Sequence, residues 1–449
     1  MGNPTGAILL SVALAALFCV GAEGKVKDGF RGYKVYRVTP SNEKHAQFLM
    51  DLQKSLEAQL MTDEIDIWTD TESLSTKADQ PVVIMVSPEH QPEMLQTFDA
   101  EGLKYEETVA DLARLIEEES RADAPTTKNG GMSWTQYHNY STIESFVQWL
   151  TVNYPTIVST SVIGQSYEGR NLHLSKVGKP RADGKTKPAV WFDSQIHARE
   201  WIASATLTYM MNELITGYSS NSTYQRLLDQ VDIYVLWVIN ADGFEWTKTS
   251  SNERLWRTTR RVNPFAACLG ADPNRNYDHK WMVSGAVQSP CTQTYAGAFP
   301  FSEIENLHHT EAYLARRKEI KCLLTFHSFS QVWLTPWGYD NSLPADYPEL
   351  YDLGVRATNA LRVPYGTVYR VGSSTALLGS AAGATDDWGK AKGMTKYSYT
   401  VELRPSSGGS NGFILPPNQI IPSGIETLRA VIVVLQQIID EFGPILNTE

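Results

Sequence analysis

Two imidazoles and two carboxylates stand where the chain could bring them to one metal ion and one water. His197 and Glu200 lie three residues apart in Trp191-Phe192-Asp193-Ser194-Gln195-Ile196-His197-Ala198-Arg199-Glu200-Trp201-Ile202, where the apolar strand Ala189-Val190-Trp191-Phe192 runs through a turn into a helix. A helical or near-helical turn puts positions i and i+3 on one face, so both side chains can close on one ion. Neutral imidazole with carboxylate suits Zn²⁺, and a catalytic zinc takes a third protein ligand and keeps one position open. Spacing alone more often marks an ordinary surface pair, because short motifs recur by chance. Two further strand patterns supply company: Leu323-Leu324-Thr325-Phe326 closes on His327-Ser328, and Tyr397-Ser398-Tyr399-Thr400-Val401 closes on Glu402. His197, Glu200 and His327 then form a two-His-one-Glu set with an open position. Glu402 is a carboxylate able to take a proton from an attacking water. A lone histidine after an apolar strand is more often a hydrogen-bonded core residue, so the set matters more than any member.

The elements that must position these groups alternate from Trp134 to about Phe442. Helical periodicity covers 142–153, 201–216, 223–229, 302–318, 348–362 and 423–441, and strand patterns cover 188–193, 232–238, 322–327, 331–335 and 396–403. This predicts an α/β domain with a mixed twisted sheet and helices on both faces, in which ligands gather at the carboxyl ends of strands. Residues 25–121 read instead as a small α+β unit, with strands at Tyr33–Val38, Val82–Val86 and Tyr105–Val109 and helices over 43–60, about 90–101 and 109–120. This unit holds 11 Lys and Arg against 20 Asp and Glu, so −9 of the chain's −11 net charge sits here. It gives way, over 122–131, to a Pro, Thr and Gly-Gly linker just after Arg121. That composition fits an exposed, cleavable segment and equally an interdomain linker that nothing cuts.

The chain of 449 residues has length for two or three domains, and its 12 Trp and 21 Tyr argue against disorder. Residues 8–20 form an apolar run too short to span a bilayer, followed by Gly21-Ala22. This predicts a signal peptide over 1–22 and a secreted, extracellular protein. No other stretch is apolar enough for a membrane span. Cys19 leaves with the signal; in an oxidising compartment Cys268 and Cys291 can close a loop over a Gly/Pro/Asn-rich segment. Cys322 lies in a buried-strand pattern, as a small free hydrophobe. Asn139-Tyr140-Ser141 and Asn221-Ser222-Thr223 are glycosylation sequons. The acidic balance and lack of any basic run exclude a nucleic-acid partner.

Five motifs carry a wider likeness: Ile196-His197-Ala198-Arg199-Glu200-Trp201-Ile202, Leu255-Trp256-Arg257, Pro273-Asn274-Arg275-Asn276, His327-Ser328-Phe329-Ser330-Gln331 and Thr400-Val401-Glu402-Leu403-Arg404. With them, residues 134–442 resemble the zinc carboxypeptidases of the pancreatic A/B type, and residues 25–121 resemble their activation segment. The resemblance implies a monomeric, secreted zymogen whose catalytic domain, 132–445, holds one Zn²⁺ through His197, Glu200 and His327. It implies that Glu402 activates the attacking water and passes the proton to the leaving amine. Arg257 would polarise the scissile carbonyl, an oxyanion-hole contribution of roughly 3–4 kcal/mol. Asn274 and Arg275 would clamp the terminal carboxylate, since a planar guanidinium makes two parallel charge-assisted bonds. Arg199, Arg254 and Ser328 would complete the substrate contacts, and Cys268 with Cys291 occupies the position of the family's disulfide. The implied partners are the C-termini of peptides and proteins, and a trypsin-like protease that cuts near Arg121. Until that cut, the acidic segment would cover the arginine-lined cleft.

The likeness has gaps. Gly379 stands where the family places a mobile tyrosine over the bound substrate, Gln195 and Ala384 replace glycines, and Pro405 replaces an aspartate. Asp386 matches the position whose aspartate favours Lys and Arg C-termini and whose aliphatic residue favours apolar ones. Gly338 matches the apolar branch. The expected reaction is removal of basic C-terminal residues. The alternatives are an A-type preference for aromatic or aliphatic C-termini, and a zinc-bound binding protein with weak turnover.

Overall fold

Ala189–Ser194 and Asp232–Leu236 are buried at every position, the pattern of central strands covered on both faces. They are β7 and β8 of an eight-stranded sheet completed by β5 (Val158–Gln165), β6 (Asn171–Val177), β9 (Ile320–Ser330), β10 (Val332–Thr335), β11 (Arg370–Ser373) and β12 (Tyr397–Ser406). The strand order is β11-β10-β12-β9-β7-β8-β6-β5 in this computed structural model, which describes residues 28–69, 80–121, 126–264, 266–409 and 411–443. The four central strands β12, β9, β7 and β8 run parallel, and β10 pairs in parallel with β11. Both flanks join the parallel centre through antiparallel pairs, so the sheet is mixed.

Helices cover both faces of this α/β sheet. Trp191 of β7 packs on Tyr313 of the helix Ile304–Leu314, and Tyr313 packs on Trp388 of the helix Thr385–Ala391. The helices Trp201–Thr216 and Ile420–Phe442 pack on each other, tied by the Thr206 and Ser423 hydroxyls at 2.9 Å. Gly424 makes that approach possible, since a Cβ there would lie 2.2 Å from the Tyr209 ring. Among the described residues no helix is long and apolar enough to cross a membrane.

Upstream lies a four-stranded antiparallel sheet, built from β1 (Lys34–Thr39), β2 (Ile65–Ile67), β3 (Val82–Val86) and β4 (Lys104–Val109) in the order β2-β3-β1-β4. The helices Glu43–Ala58 and Gln91–Glu101 pack on it through Phe48, Leu49, Leu52, Met94 and Phe98. The third helix is Leu112–Glu119, starting later than the periodicity suggests because Asp111 caps it from an extended conformation. Cys268 and Cys291 are bonded, and Cys322 is free and buried. The predicted signal peptide and residues 122–125 of the linker fall outside the described residues.

Candidate metal centre and substrate cleft

The turn after β7 presents His197, and Glu200 occupies the residue just before the helix Trp201–Thr216. The Glu200 carboxylate is not used to cap that helix and instead faces both imidazoles. His197 Nδ1 lies 2.7 Å from its Oε1, and His327 Nδ1 lies 3.2 Å from its Oε2. The ligand atoms of all three residues fall within 4.8 Å of one another, and all three residues are buried. The far nitrogen of His197 meets Asp272 Oδ1 at 3.1 Å, the carboxylate anchor that orients metal-binding histidines. Burial and the Arg257 guanidinium push His197 below its ordinary pKa, which favours the neutral form that binds a metal. Buried donors of this chemistry, converging and anchored from behind, fit Zn²⁺.

His327 and Glu402 are register partners on neighbouring strands, and Val332 of β10 pairs with Glu402 from the other side. The sequence places each at the end of a strand. In the structure β9 runs on to Ser330 and β12 to Ser406, because Leu403 still pairs with Ser328 and Ser406 with Ser330. The half-buried Glu402 carboxyl faces the same cleft as the two histidines. Burial pushes it up to about 8, against the pull of His327.

Arg257, Asn274, Arg275, Ser328, Arg199 and Asp386 line this cleft as well. Asp272 holds Arg257 through Oδ2 at 2.8 and 3.2 Å and receives the backbone N–H of Asn274 on Oδ1 at 2.8 Å. One buried carboxylate thus orients a histidine, an arginine and the Asn274 turn together. The Arg257 guanidinium and His197 hold its pKa well down despite burial. Sequence reasoning passed over Asp272, since an aspartate before Pro273-Asn274 reads as a turn residue. Asn274 Oδ1 accepts from the backbone and the hydroxyl of Thr385, both at 2.9 Å, and Arg275 donates to the Gly285 carbonyl at 2.7 Å. The Ser328 N–H donates to Glu200 Oε2 at 3.1 Å.

Asp386 points into the cleft wall, only 2 % exposed, and its Oδ2 accepts from the Ser374 hydroxyl at 3.2 Å. Burial raises its pKa above the ordinary carboxylate value. Its neighbour Asp387 turns the other way and receives the backbone N–H groups of Gly338 and Tyr339 at 2.9–3.2 Å.

A zinc carboxypeptidase family model matches residues 143–430, and a carboxypeptidase activation peptide model matches residues 36–119. The chain belongs to the zinc carboxypeptidase family. It is 45% identical to carboxypeptidase B of Astacus astacus over 313 residues, covering 70% of this chain and all of that one. It is 36% identical to carboxypeptidase B of Rattus norvegicus over 418 residues, covering 93% and 96% of the two. The crystal structure of thrombin activatable fibrinolysis inhibitor superposes with a TM-score of 0.82 at 29% identity, covering 92% of this chain and all of the other.

In this carboxypeptidase the activation peptide lies over the cleft: Asp66, Ile67, Trp68 and Thr69 line it together with His197, Glu200, His327 and Glu402. Asp66 Oδ2 meets Arg199 Nη1 at 3.0 Å. Arg254, 1 % exposed, does not line the cleft; it stacks on Trp201 at 3.7 Å and grips Glu119 at 2.6 and 2.9 Å. Glu119 also accepts the Leu415 N–H at 3.1 Å. An apolar seam joins Phe30, Trp68, Leu112 and Ile116 of the activation peptide to Leu255, Phe329, Phe413 and Ile414.

Proposed function

We propose that this zinc carboxypeptidase is a secreted, monomeric zymogen that, once cut in its linker near Arg121 by a trypsin-like protease, removes C-terminal residues and favours Lys and Arg. The bounds read from the sequence, a signal over 1–22, an activation segment over 25–121, a linker over 122–131 and a catalytic domain over 132–445, belong to this proposal. His197, Glu200 and His327 would hold Zn²⁺, which when bound would supply Lewis acidity and bring the pKa of a water near neutral. Glu402, facing the same cleft, takes the proton of the attacking water and returns it to the departing amine. Arg257, fixed by Asp272, faces the oxygen on which charge develops. Asn274 and Arg275 bind the terminal carboxylate, which restricts cutting to chain ends. Arg199 and Ser328 contact the residues upstream, and Arg254 becomes available to substrate only when Glu119 leaves.

The basic preference rests on one observation, the buried Asp386 carboxyl in the cleft wall. Among the described residues no Lys or Arg pairs with it. Such a group is costly to ionise alone and gains a charge-assisted partner when a guanidinium or ammonium enters. Gly338 supports a second reading, an apolar preference, because a Cβ there would sit 3.3 Å from the Ala381 carbonyl and its absence leaves room for a wide side chain. Trypsin-treated protein assayed on matched peptides ending in Arg and in Phe tests the choice. Release of Arg at higher kcat/KM supports the B-type reading, equal or faster release of Phe removes it, and no chelator-sensitive release leaves a zinc-bound binding protein.

A further inference from the structure

β7 ends at Ser194, and the next residue, Gln195, turns the chain with φ of 59°. That is the left-handed region, where glycine is favoured and a glutamine needs compensation from its surroundings. The compensation lies in the side chain, which is wholly buried at 0 % exposure. Its Nε2 donates to the carbonyl of His197 at 3.1 Å and to that of Ala198 at 2.8 Å. The amide therefore lies across the base of the turn that carries His197 and Glu200. The same turn is held from two other directions, by the Ala198 N–H on the Arg257 carbonyl at 3.0 Å and by the Asn240 N–H on the Gln195 carbonyl at 3.1 Å. A glycine at 195 would relax the backbone and leave both carbonyls without this donor.

We propose that Gln195 is a positioning residue for the metal centre: its amide fixes the His197–Glu200 turn in its metal-binding shape and so slows loss of the ion. It touches no ligand atom and acts through the backbone carbonyls, as partners that orient ligands do. The inference rests on zinc at His197, Glu200 and His327. Two substitutions separate hydrogen bonding from packing. Gln195→Gly removes the amide and eases the backbone, whereas Gln195→Met keeps most of the buried volume and cannot donate.

The test loads full-length parent and variants with zinc and follows transfer of the ion to a coloured chelator, alongside thermal unfolding of the zinc-free proteins. Both variants should release zinc about 10–100-fold faster, the range by which removing a ligand's support weakens metal binding. Zinc-free Gln195→Gly should unfold close to the parent's Tm, because relief of the left-handed backbone offsets part of the lost amide bonding. Retention of zinc at the parent's rate by either variant overturns the proposal, as does zinc loss that only tracks a lowered zinc-free Tm. Failure of the parent to hold one zinc would instead remove the metal site itself, a distinguishable result.

Discussion

At the centre of the sheet, His327 and Glu402 sit on paired strands, His197 follows a third, and Asp272 ties His197 to Arg257. At the rim, residues 374–387 form short helices and loops whose hydrogen bonds run to other loops: Thr375 to the Trp337 carbonyl at 3.0 Å, the Ala381 N–H to Gly338 at 2.6 Å and the Ala382 N–H to Ser284 at 3.1 Å. The departures from the family motifs fall in both regions. His197, Glu200, His327, Glu402 and Arg257 are all present at the centre, which departs at Gln195 and at Pro405 in β12, whereas the rim carries Gly379 and Ala384 and combines Asp386 with Gly338. A sheet fixes atoms by its hydrogen-bond register and tolerates little change, while a loop rim can alter its side chains without moving the chemistry.

The comparison breaks first at the centre. His327→Ala should abolish zinc binding and all activity, measured as metal content after dialysis; a variant that keeps one zinc per chain would dissolve the assignment. Glu402→Gln should keep its zinc and lose about 10²–10⁴-fold in kcat, the usual weight of a positioned base, with metal content as the control. Between the two regions, Glu119→Gln should loosen the activation peptide, because it weakens the partner of the buried Arg254. Cleaved variant protein would gain activity sooner than the parent, as its cut segment dissociates faster. At the rim, Gly379→Tyr should lower KM by about 2–10-fold through one added hydrogen bond and leave kcat nearly unchanged. Gly379 has φ of 101°, so a tyrosine must shift the local backbone, and an unchanged KM would show that the loop cannot present it. Smallest is a pH effect: burial raises the Asp386 pKa, so as pH falls toward that value the carboxyl takes a proton. KM for Arg-ending peptides should then rise relative to KM for Phe-ending ones.

The centre was legible because its residues follow apolar strand patterns whose alternation with helices already predicts the sheet. The edge strands β5 and β6 were not, since Val158-Ser159-Thr160-Ser161-Val162 reads as a polar loop until its pairing with β6 is known. The true ends of β9 and β12 were hidden for the reverse reason: Ser328 and Ser330 interrupt the apolar run yet stay buried and paired. Asp272 escaped because its partners lie 75 and 15 residues away and nothing local announces them. The sequence assigns both Arg199 and Arg254 to the cleft, but only Arg199 lines it, and their grip on Asp66 and Glu119 depends on docking that no local pattern encodes.

The measurement that reaches furthest compares kcat/KM for peptides ending in Arg and in Phe, using activated parent and activated Asp386→Ile side by side. Asp386 as the residue that sorts substrates predicts that the parent prefers Arg and that the substitution inverts the preference while zinc content stays the same. A ratio that Asp386→Ile leaves unmoved would contradict it.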